Sequence, residues 1–267
     1  MKNSIKTFII LLAAVTLADS CSTVPLTGRR QLSLIPESEL IAMSLTSYSD
    51  FLKENSLSTN RANTTLVQDV GKNISTAVVK YFSDNNMSAN LNGYQWEFNL
   101  IEDSTPNAWA MPGGKVVVYT GLLPYTQDAN GLAVVVSHEI AHAVARHGSE
   151  RMSQQLLAQF GSVALGEALK NKPEQTQVIF GTAFGLGTQL GVMLPYSRQH
   201  ELEADRLGLI FMAMAGYNPQ TAVAFWTRMA SMGGEKPPEF LSTHPSDATR
   251  IQNIQKVMPE ALSFYKK

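Results

Sequence analysis

The apolar positions in the first half of the chain change their period near residue 94. Before that point they recur at helical spacing in two stretches, 37–53 and 61–82. From 94 to 100 every second residue is apolar, which predicts a half-buried strand, and the run at 115–119 predicts a second strand. The first half therefore predicts two amphipathic helices followed by a small sheet.

The second half has helical patterns almost throughout. Residues 132–146 are nearly all apolar, so this helix must be buried, and either Asp128 or Asn130 before it is a candidate N-cap. Further helices are expected at 198–215 and 219–232. A small sheet followed by helices predicts an α+β fold, mostly helical, with the sheet beside the buried helix.

One further apolar segment, 178–194, allows two interpretations. Its glycines at small-x-x-x-small spacing are typical of a membrane helix. Its short length and its polar residues, among them Thr182 and Gln189, favour instead a covered helix or a helical hairpin.

The N-terminal segment carries the pattern of a bacterial secretory signal. Two lysines precede an apolar run at 8–15, and small residues stand just before Cys21. A lipoprotein signal places the residue that receives the lipid at this position, and we favour that over an ordinary secreted protein. The sequence thus predicts a signal peptide at 1–20, a lipid-anchored tether at 21–35 and a catalytic domain at 36–267.

Composition narrows the class and the compartment. The chain has 267 residues, with 21 basic and 22 acidic side chains, which argues against nucleic acid as a partner. Cys21 is its single cysteine, so the chain forms no intrachain disulfide and packing of the core must stabilise it. We expect a protein of the bacterial cell envelope, held at the outer membrane by lipidated Cys21 and facing the periplasm.

Three ionisable side chains interrupt the apolar helix at 132–146. His138, Glu139 and His142 spell His-Glu-Ile-Ala-His, which places two imidazoles one turn apart on one helical face. Burying such groups among valines and alanines costs free energy unless a partner compensates for it. One zinc ion per chain, bound by both histidines, is that partner.

A zinc hydrolase normally has three protein ligands, so a third must be found elsewhere. Glu201 and Asp205 lie four residues apart on one face of the next helix, where like charges repel unless each has a role. Ligation of zinc by Glu201, with Asp205 accepting a hydrogen bond from a ligand imidazole or an arginine, gives each a role. The alternative is a solvated acidic face paired with Arg198 and Arg206, and the incomplete site upstream favours ligation.

The residues just after the zinc motif exclude one class of protease. Metzincins need glycine and histidine where this chain has Ala145 and Gly148. His147 lies five residues after His142, off the ligand face of a continuous helix, which predicts a solvated residue at the helix end.

Four motifs occur in order along the chain: Asn-Ala-Trp-Ala-Met-Pro-Gly-Gly at 107–114, the zinc motif at 138–142, Glu-Leu-Glu-Ala-Asp at 201–205, and Thr-His-Pro-Ser at 243–246 followed by Arg250. This order resembles the HtpX and CAAX-prenyl-endopeptidase family of zinc metallopeptidases, which are gluzincins, and within it the soluble bacterial lipoprotein branch. The resemblance implies a helical metallopeptidase domain with a small sheet beside the active-site helix.

The resemblance also implies a role for each motif. Glu201 becomes the third ligand, Glu139 the general base, and His244 approaches the metal from a C-terminal loop. His244 then either stabilises the oxyanion or blocks the fourth zinc position in a resting form, whereas the sequence alone equally allows a loop histidine bonded to a helix end. The substrate backbone is expected to pair with Asn107, Ala108, Trp109 and Ala110.

Two functions remain open at this point. The first is a membrane-anchored zinc endopeptidase that hydrolyses peptide bonds of unfolded or misassembled proteins in quality control of the envelope. The second is a chaperone-like binding lipoprotein that contains zinc but has little proteolytic activity. Glu139 favours the enzyme, because a purely structural zinc site needs no base and closes with a fourth ligand.

Overall fold

The computed structural model describes residues 21–189, 193–231, 239–244 and 248–266. The predicted signal peptide lies outside these ranges. The N-terminal segment forms a two-stranded antiparallel sheet of β1 (Cys21–Thr23) and β2 (Arg30–Leu32). It packs on the body of the protein, where Val24 is buried and the backbone N–H of Leu34 donates to Ser153.

Two amphipathic helices follow as predicted, α1 (Glu37–Glu54) and α2 (Arg61–Asp84). Asn60 caps α2, because its side chain accepts a hydrogen bond from the backbone N–H of Asn63. The buried residues of α2 recur at helical spacing and form one wall of the main core.

The predicted sheet is present and has three strands: β3 (Glu97–Ile101), β4 (Ala108–Met111) and β5 (Lys115–Tyr119). The strand order is β3-β5-β4, with β3 parallel and β4 antiparallel to the central strand β5. The first strand begins three residues later than the alternation predicts, because the N–H of Tyr94 closes a turn onto the carbonyl of Leu91.

Short α3 (Leu123–Thr126) leads into the apolar helix α4 (Ala129–Val144), which is buried from Gly131 to its end. Of the two candidate caps, Asp128 is the one that caps α4, because its side chain accepts a hydrogen bond from the N–H of Gly131 at 2.9 Å. Helix α4 packs against α2 and β4. The prediction of an α+β fold, mostly helical with a small sheet beside the buried helix, is confirmed.

The remaining helices are α5 (His147–Leu169), α6 (Glu174–Thr188), α7 (Leu194–Met214), α8 (Thr221–Ser231), α9 (Glu239–Thr243) and α10 (Ala248–Phe264). Helix α7 packs against α4 at close range, because a Cβ atom on Gly208 would stand only 3.0 Å from the backbone nitrogen of His138. Any side chain at 208 would therefore push apart the two helices that carry the predicted zinc ligands.

In the apolar segment predicted at 178–194, residues 178–188 belong to the single helix α6, which packs against α5 to form a hairpin that begins well before the segment. The prediction that other elements cover this segment is wrong for the residues that the structure describes. Val178, Ile179 and Phe180 of α6 are exposed. Across the described part of the chain, no helix combines the length and apolarity needed to cross a membrane.

Candidate metal centre

The facing helices α4 and α7 bring the predicted ligands together. His138 and His142 of α4 lie with their Nε2 atoms 3.0 Å apart, and each Nε2 is 3.3 Å from a carboxylate oxygen of Glu201 on α7. All three side chains are buried. The spacing along α4 and the close approach at Gly208 together produce this convergence.

His244 joins the cluster from the segment that follows α9. Its Nδ1 atom is 3.1 Å from Nε2 of His138 and 3.0 Å from both carboxylate oxygens of Glu201. Its backbone N–H donates to the carbonyl of Phe240, and its ring packs on the Phe240 ring. The loop histidine therefore faces the predicted zinc ligands, which the resemblance implied and the spacing of residues could not establish.

The four side chains fit a zinc ion. Ligand bonds of about 2.0–2.1 Å place the corners of a tetrahedron about 3.3 Å apart, and the separations above run from 3.0 to 3.3 Å. Three of the donors are imidazole nitrogens and one is a carboxylate oxygen, and zinc accepts both kinds of ligand. His138, His142, Glu201 and His244 thus form a group able to hold a metal ion.

The electrostatics of the group also call for a cation. Burial by itself would lower the pKa of His138, but hydrogen bonds to Asp205 and Glu201 raise it to about 9. The two carboxylates thus favour positive charge at this point of the cluster. Burial lowers the pKa of His142, which keeps that imidazole neutral and able to donate a lone pair.

Glu139 lies beside the donor cluster on the cleft side. Its Oε1 atom is buried, has no hydrogen-bond partner among the described residues, and lies 3.4 Å from Nε2 of His244. Burial raises the pKa of this carboxyl above its usual value. A buried carboxylate with an uncommitted oxygen next to a cation site is suited to exchange a proton with a water molecule.

Asp205 holds His138 from behind. Its Oδ1 atom is 3.0 Å from Nδ1 of His138, and Arg250 of α10 clamps the carboxylate with contacts of 2.7 and 2.8 Å. Burial alone would raise the pKa of Asp205, but the Arg250 charge and the His138 hydrogen bond lower it. The guanidinium in turn lies 3.4 Å from the ring centroid of Trp226, a support that no motif in the sequence indicated.

His147 differs from its sequence-based prediction, since it is fully buried. Arg146 adopts a left-handed conformation with φ of 60°, which ends α4 and starts α5 in a new direction. The turn brings Nδ1 of His147 to 2.9 Å from Nδ1 of His142. The prediction of a solvated helix end assumed a continuous helix, and the break at Arg146 makes it wrong.

Glu203 also has a place that the sequence did not suggest. It points away from the donor cluster, as its spacing from Glu201 predicts, yet it is buried and lies 3.0 Å from Nε2 of His147. Arg29 and Thr27 of the N-terminal segment donate hydrogen bonds to the same carboxylate. No local sequence signal links residues 27–29 to position 203.

A cleft of about 290 Å³ opens over Glu139 and His244. Strand β4 forms one wall, at the edge of the three-stranded sheet, and the segment Asn107, Ala108, Trp109 and Ala110 lines it as the resemblance implied. Arg146 and Arg151 line another part of the wall. The strand edge, the Glu139 carboxylate and two of the four donors, His142 and His244, therefore share one cleft.

Comparison with known proteins agrees with this geometry. Residues 74–258 match the family model described as peptidase family M48. The chain is 37% identical over 169 residues to the mitochondrial metalloendopeptidase OMA1 of Schizosaccharomyces pombe, covering 62% of this chain and 48% of that protein. It is 34% identical over 192 residues to the beta-barrel assembly-enhancing protease of Yersinia pestis, covering 67% of this chain and 39% of that protein.

A third relative extends the match over most of the chain. Metalloendopeptidase OMA1 of Bos taurus is 30% identical over 250 residues, covering 90% of this chain and 46% of that protein. The chain thus spans about half, or less, of the length of these relatives. The chain belongs to peptidase family M48, which confirms that it is a metallopeptidase of the predicted kind, whereas membership of the HtpX and CAAX-prenyl-endopeptidase family stays a prediction.

Proposed function

We propose that this member of peptidase family M48 is a zinc-dependent endopeptidase that cleaves extended or unfolded polypeptide chains. One observation carries the proposal: a buried carboxylate with an uncommitted oxygen, Glu139, lies beside four donor atoms at zinc-ligand spacing. His138, His142 and Glu201 are the resident ligands, with one ion per chain. A zinc ion supplies Lewis acidity there, polarising a peptide carbonyl and acidifying a water molecule.

The side chains of this chain carry the proton transfers. Glu139 accepts the proton of the attacking water at Oε1 and later delivers it to the nitrogen of the leaving amine. Burial raises the pKa of Glu139, so its carboxyl holds a proton more readily than an exposed glutamate does. This favours uptake of the proton from water and its temporary storage until it passes to the amine. Asp205 and Arg250 keep His138 in one orientation throughout.

The edge of β4 selects the conformation of the substrate. An extended chain laid along Ala108 to Ala110 adds a strand to the sheet through main-chain hydrogen bonds, which need no particular sequence. The cleft that β4 lines leads such a chain past Glu139. A folded protein offers few free strands, so unfolded or misassembled chains are the substrates that this edge favours.

His244 gates the cation site in this proposal. Its Nδ1 atom lies among the other donors, where it would take the fourth ligand position of a bound zinc ion in a resting form and exclude a water molecule from it. Alternatively, Nε2 of His244, which lies 3.4 Å from Oε1 of Glu139, stabilises the oxyanion beside the general base. If His244 only blocks the site, His244→Ala should raise the cleavage rate, whereas an oxyanion role predicts a lower rate.

The position of His244 among the donors also favours a second candidate function. A site closed by four protein ligands is typical of structural zinc, which would suit a chaperone-like lipoprotein that binds chains and seldom cuts them. A casein-cleavage assay with and without a chelator separates the two functions, combined with metal analysis of the same sample. Chelator-sensitive cleavage supports the protease, and stoichiometric zinc without cleavage supports the binding protein.

The cellular location belongs to the same proposal. Residues 1–20 act as a signal peptide, Cys21 carries the lipid, 21–35 join it to the body, and 36–267 form the peptidase domain of a soluble lipoprotein in the HtpX and CAAX-endopeptidase branch. The Yersinia pestis relative is named for enhancing β-barrel assembly, which supports a role in quality control at the outer membrane, facing the periplasm.

Fractionation of cells tests the lipid anchor. Cys21→Ala should release the protein from membranes, because acylation provides a strong attachment. Phe180→Ser, which removes an exposed apolar side chain of the α5–α6 hairpin, is the matched control and should stay with membranes. If Cys21→Ala still sediments after a high-salt wash and Phe180→Ser is released, the hairpin is the anchor instead.

A further inference from the structure

A second buried polar cluster lies directly behind His142. It consists of His147, Glu150, His200 and Glu203, which are all buried, together with Arg29 from the N-terminal segment. The rings of His147 and His200 stack at 4.3 Å, and the proposed reaction uses none of these five side chains. The cluster contacts the metal centre through the pair His147–His142.

Ligation of zinc by Nε2 of His142, as proposed, sets the direction of each hydrogen bond in this cluster. Nε2 of His142 faces the donor cluster, so as a zinc ligand it carries a lone pair and the ring proton sits on Nδ1. That proton must be donated to Nδ1 of His147, 2.9 Å away. His147 therefore carries its own proton on Nε2, which donates to Oε2 of Glu203 at 3.0 Å.

The far end of this chain of hydrogen bonds is anchored by the N-terminal segment. Nε of Arg29 donates to Oε2 of Glu203 at 2.8 Å, and Thr27 donates to the other oxygen. The two terminal nitrogens of Arg29 bind Glu150 at 3.1 and 2.7 Å. Two buried carboxylates thus keep the Arg29 side chain in place, and Arg29 keeps the Glu203 carboxylate oriented toward His147.

The arrangement parallels the support of the other histidine ligand. His138 donates from Nδ1 to Asp205, which Arg250 clamps. His142 reaches its carboxylate through an intervening imidazole, and Arg29 takes the place of Arg250. A histidine ligand of a metal normally gives its second ring nitrogen such a partner, which fixes its tautomer and orientation.

We infer that His147 is a positioning residue for His142 in the metal centre. Glu203 and Arg29 fix the tautomer of His147, so the segment that the sequence analysis interpreted as a tether belongs to the support of the zinc site. The inference rests on the proposed role of His142 as a zinc ligand.

Two amide substitutions at position 147 test separately the hydrogen bonds that Nδ1 and Nε2 of His147 make. The side-chain oxygen of His147→Asn reaches the place of Nδ1 and can still accept the proton of His142. The longer amide of His147→Gln reaches the place of Nε2 and bonds Glu203 instead, leaving His142 without an acceptor. We expect His147→Gln to weaken zinc binding about 10–100-fold and His147→Asn to retain most of the wild-type affinity.

The measurement is the zinc dissociation constant of the full chain, obtained by competition with a chromogenic chelator. The melting temperature in excess chelator reports separately on stability without metal. Ser153→Ala is the matched control, because Ser153 is a buried α5 residue that binds Leu34 of the N-terminal segment but contacts neither His142 nor His147. It should bind zinc as the wild type does.

The outcomes are distinct. Equal zinc affinity in His147→Gln and the wild type, while His142→Ala loses the metal, would overturn this inference and leave the zinc site intact. Equal loss of metal-free stability in the Asn and Gln variants, with unchanged affinity, would also overturn it by showing a purely structural role. Failure of the wild type to bind zinc would refute the zinc site itself. If His147→Gln does not fold, Glu203→Gln gives the same test, with a smaller expected loss of affinity.

Discussion

Two apolar helices of similar length have opposite environments in this protein. Helix α4, with 16 residues, is buried almost throughout and carries His138, Glu139 and His142. Helix α6, with 15 residues, is also apolar, but Val178, Ile179 and Phe180 are exposed. An apolar sequence therefore does not by itself determine burial; the elements packed around a helix do.

The difference in burial between α4 and α6 determines which of the two helices can hold a metal centre. A metal centre needs ligands held within narrow limits, and α4 obtains this from neighbours on several sides, including α7 at the close approach of Gly208. The α5–α6 hairpin has no comparable cover among the described residues, so its apolar side chains remain available at the surface. The following predictions test how far the two helices differ.

The largest effect is expected from removal of a ligand on the buried helix. His138→Ala removes one histidine of the zinc motif and leaves the buried Asp205 carboxylate with Arg250 as its remaining partner, so both zinc content and cleavage should fall steeply. Metal analysis of the purified variant beside the wild type checks this. Stoichiometric zinc in His138→Ala would contradict the ligand assignment.

Glu139→Gln should separate catalysis from metal binding on the same helix. The amide keeps size and polarity but cannot accept the proton of water, so cleavage should fall about a hundredfold or more while zinc content stays near that of the wild type. The control is Glu102→Gln, at an exposed loop glutamate, which should change neither quantity. Unchanged cleavage in Glu139→Gln would remove the general base from the mechanism.

A matched pair of isoleucines compares the two helices directly. Ile140 of α4 is 0% exposed and Ile179 of α6 is 66% exposed. Ile140→Ala leaves a cavity in close-packed surroundings and should lower the free energy of unfolding by about 2–5 kcal/mol. Chemical denaturation of the metal-free protein provides the measurement.

The smallest effect is expected from the other member of that pair. Ile179→Ala removes a side chain that is already largely in water, so the free energy of unfolding should change by no more than about 0.5 kcal/mol. A loss comparable to that of Ile140→Ala would show that α6 is covered in solution, for example by another molecule.

Several features of the site could be predicted from the sequence because they depend on local spacing. The four-residue spacing from His138 to His142 places both imidazoles on one face of any helix that forms there. Because Glu201 and Glu203 are two residues apart, they lie on different faces of α7. In the structure Glu201 contacts His138, whereas Glu203 contacts His147. Asp128 was recognisable as a helix cap for the same reason.

Other features depend on residues far apart in the chain. The left-handed turn at Arg146 that redirects His147 has no glycine or proline to mark it. The bonds from Thr27 and Arg29 to Glu203 span more than 170 residues, and Trp226 meets Arg250 only because α8 and α10 pack together. Periodicity in one segment carries no information about such partners.

The sequence by itself determined the helices, the small sheet and the chemistry of the metal motif, because hydrophobic period and residue spacing act within a few turns of chain. Only the tertiary structure decided which apolar helix is buried, where His244 comes to lie, and how His147 and the N-terminal segment support His142. Those outcomes depend on packing between elements, and the free energy of a buried side chain is set by the neighbours that surround it.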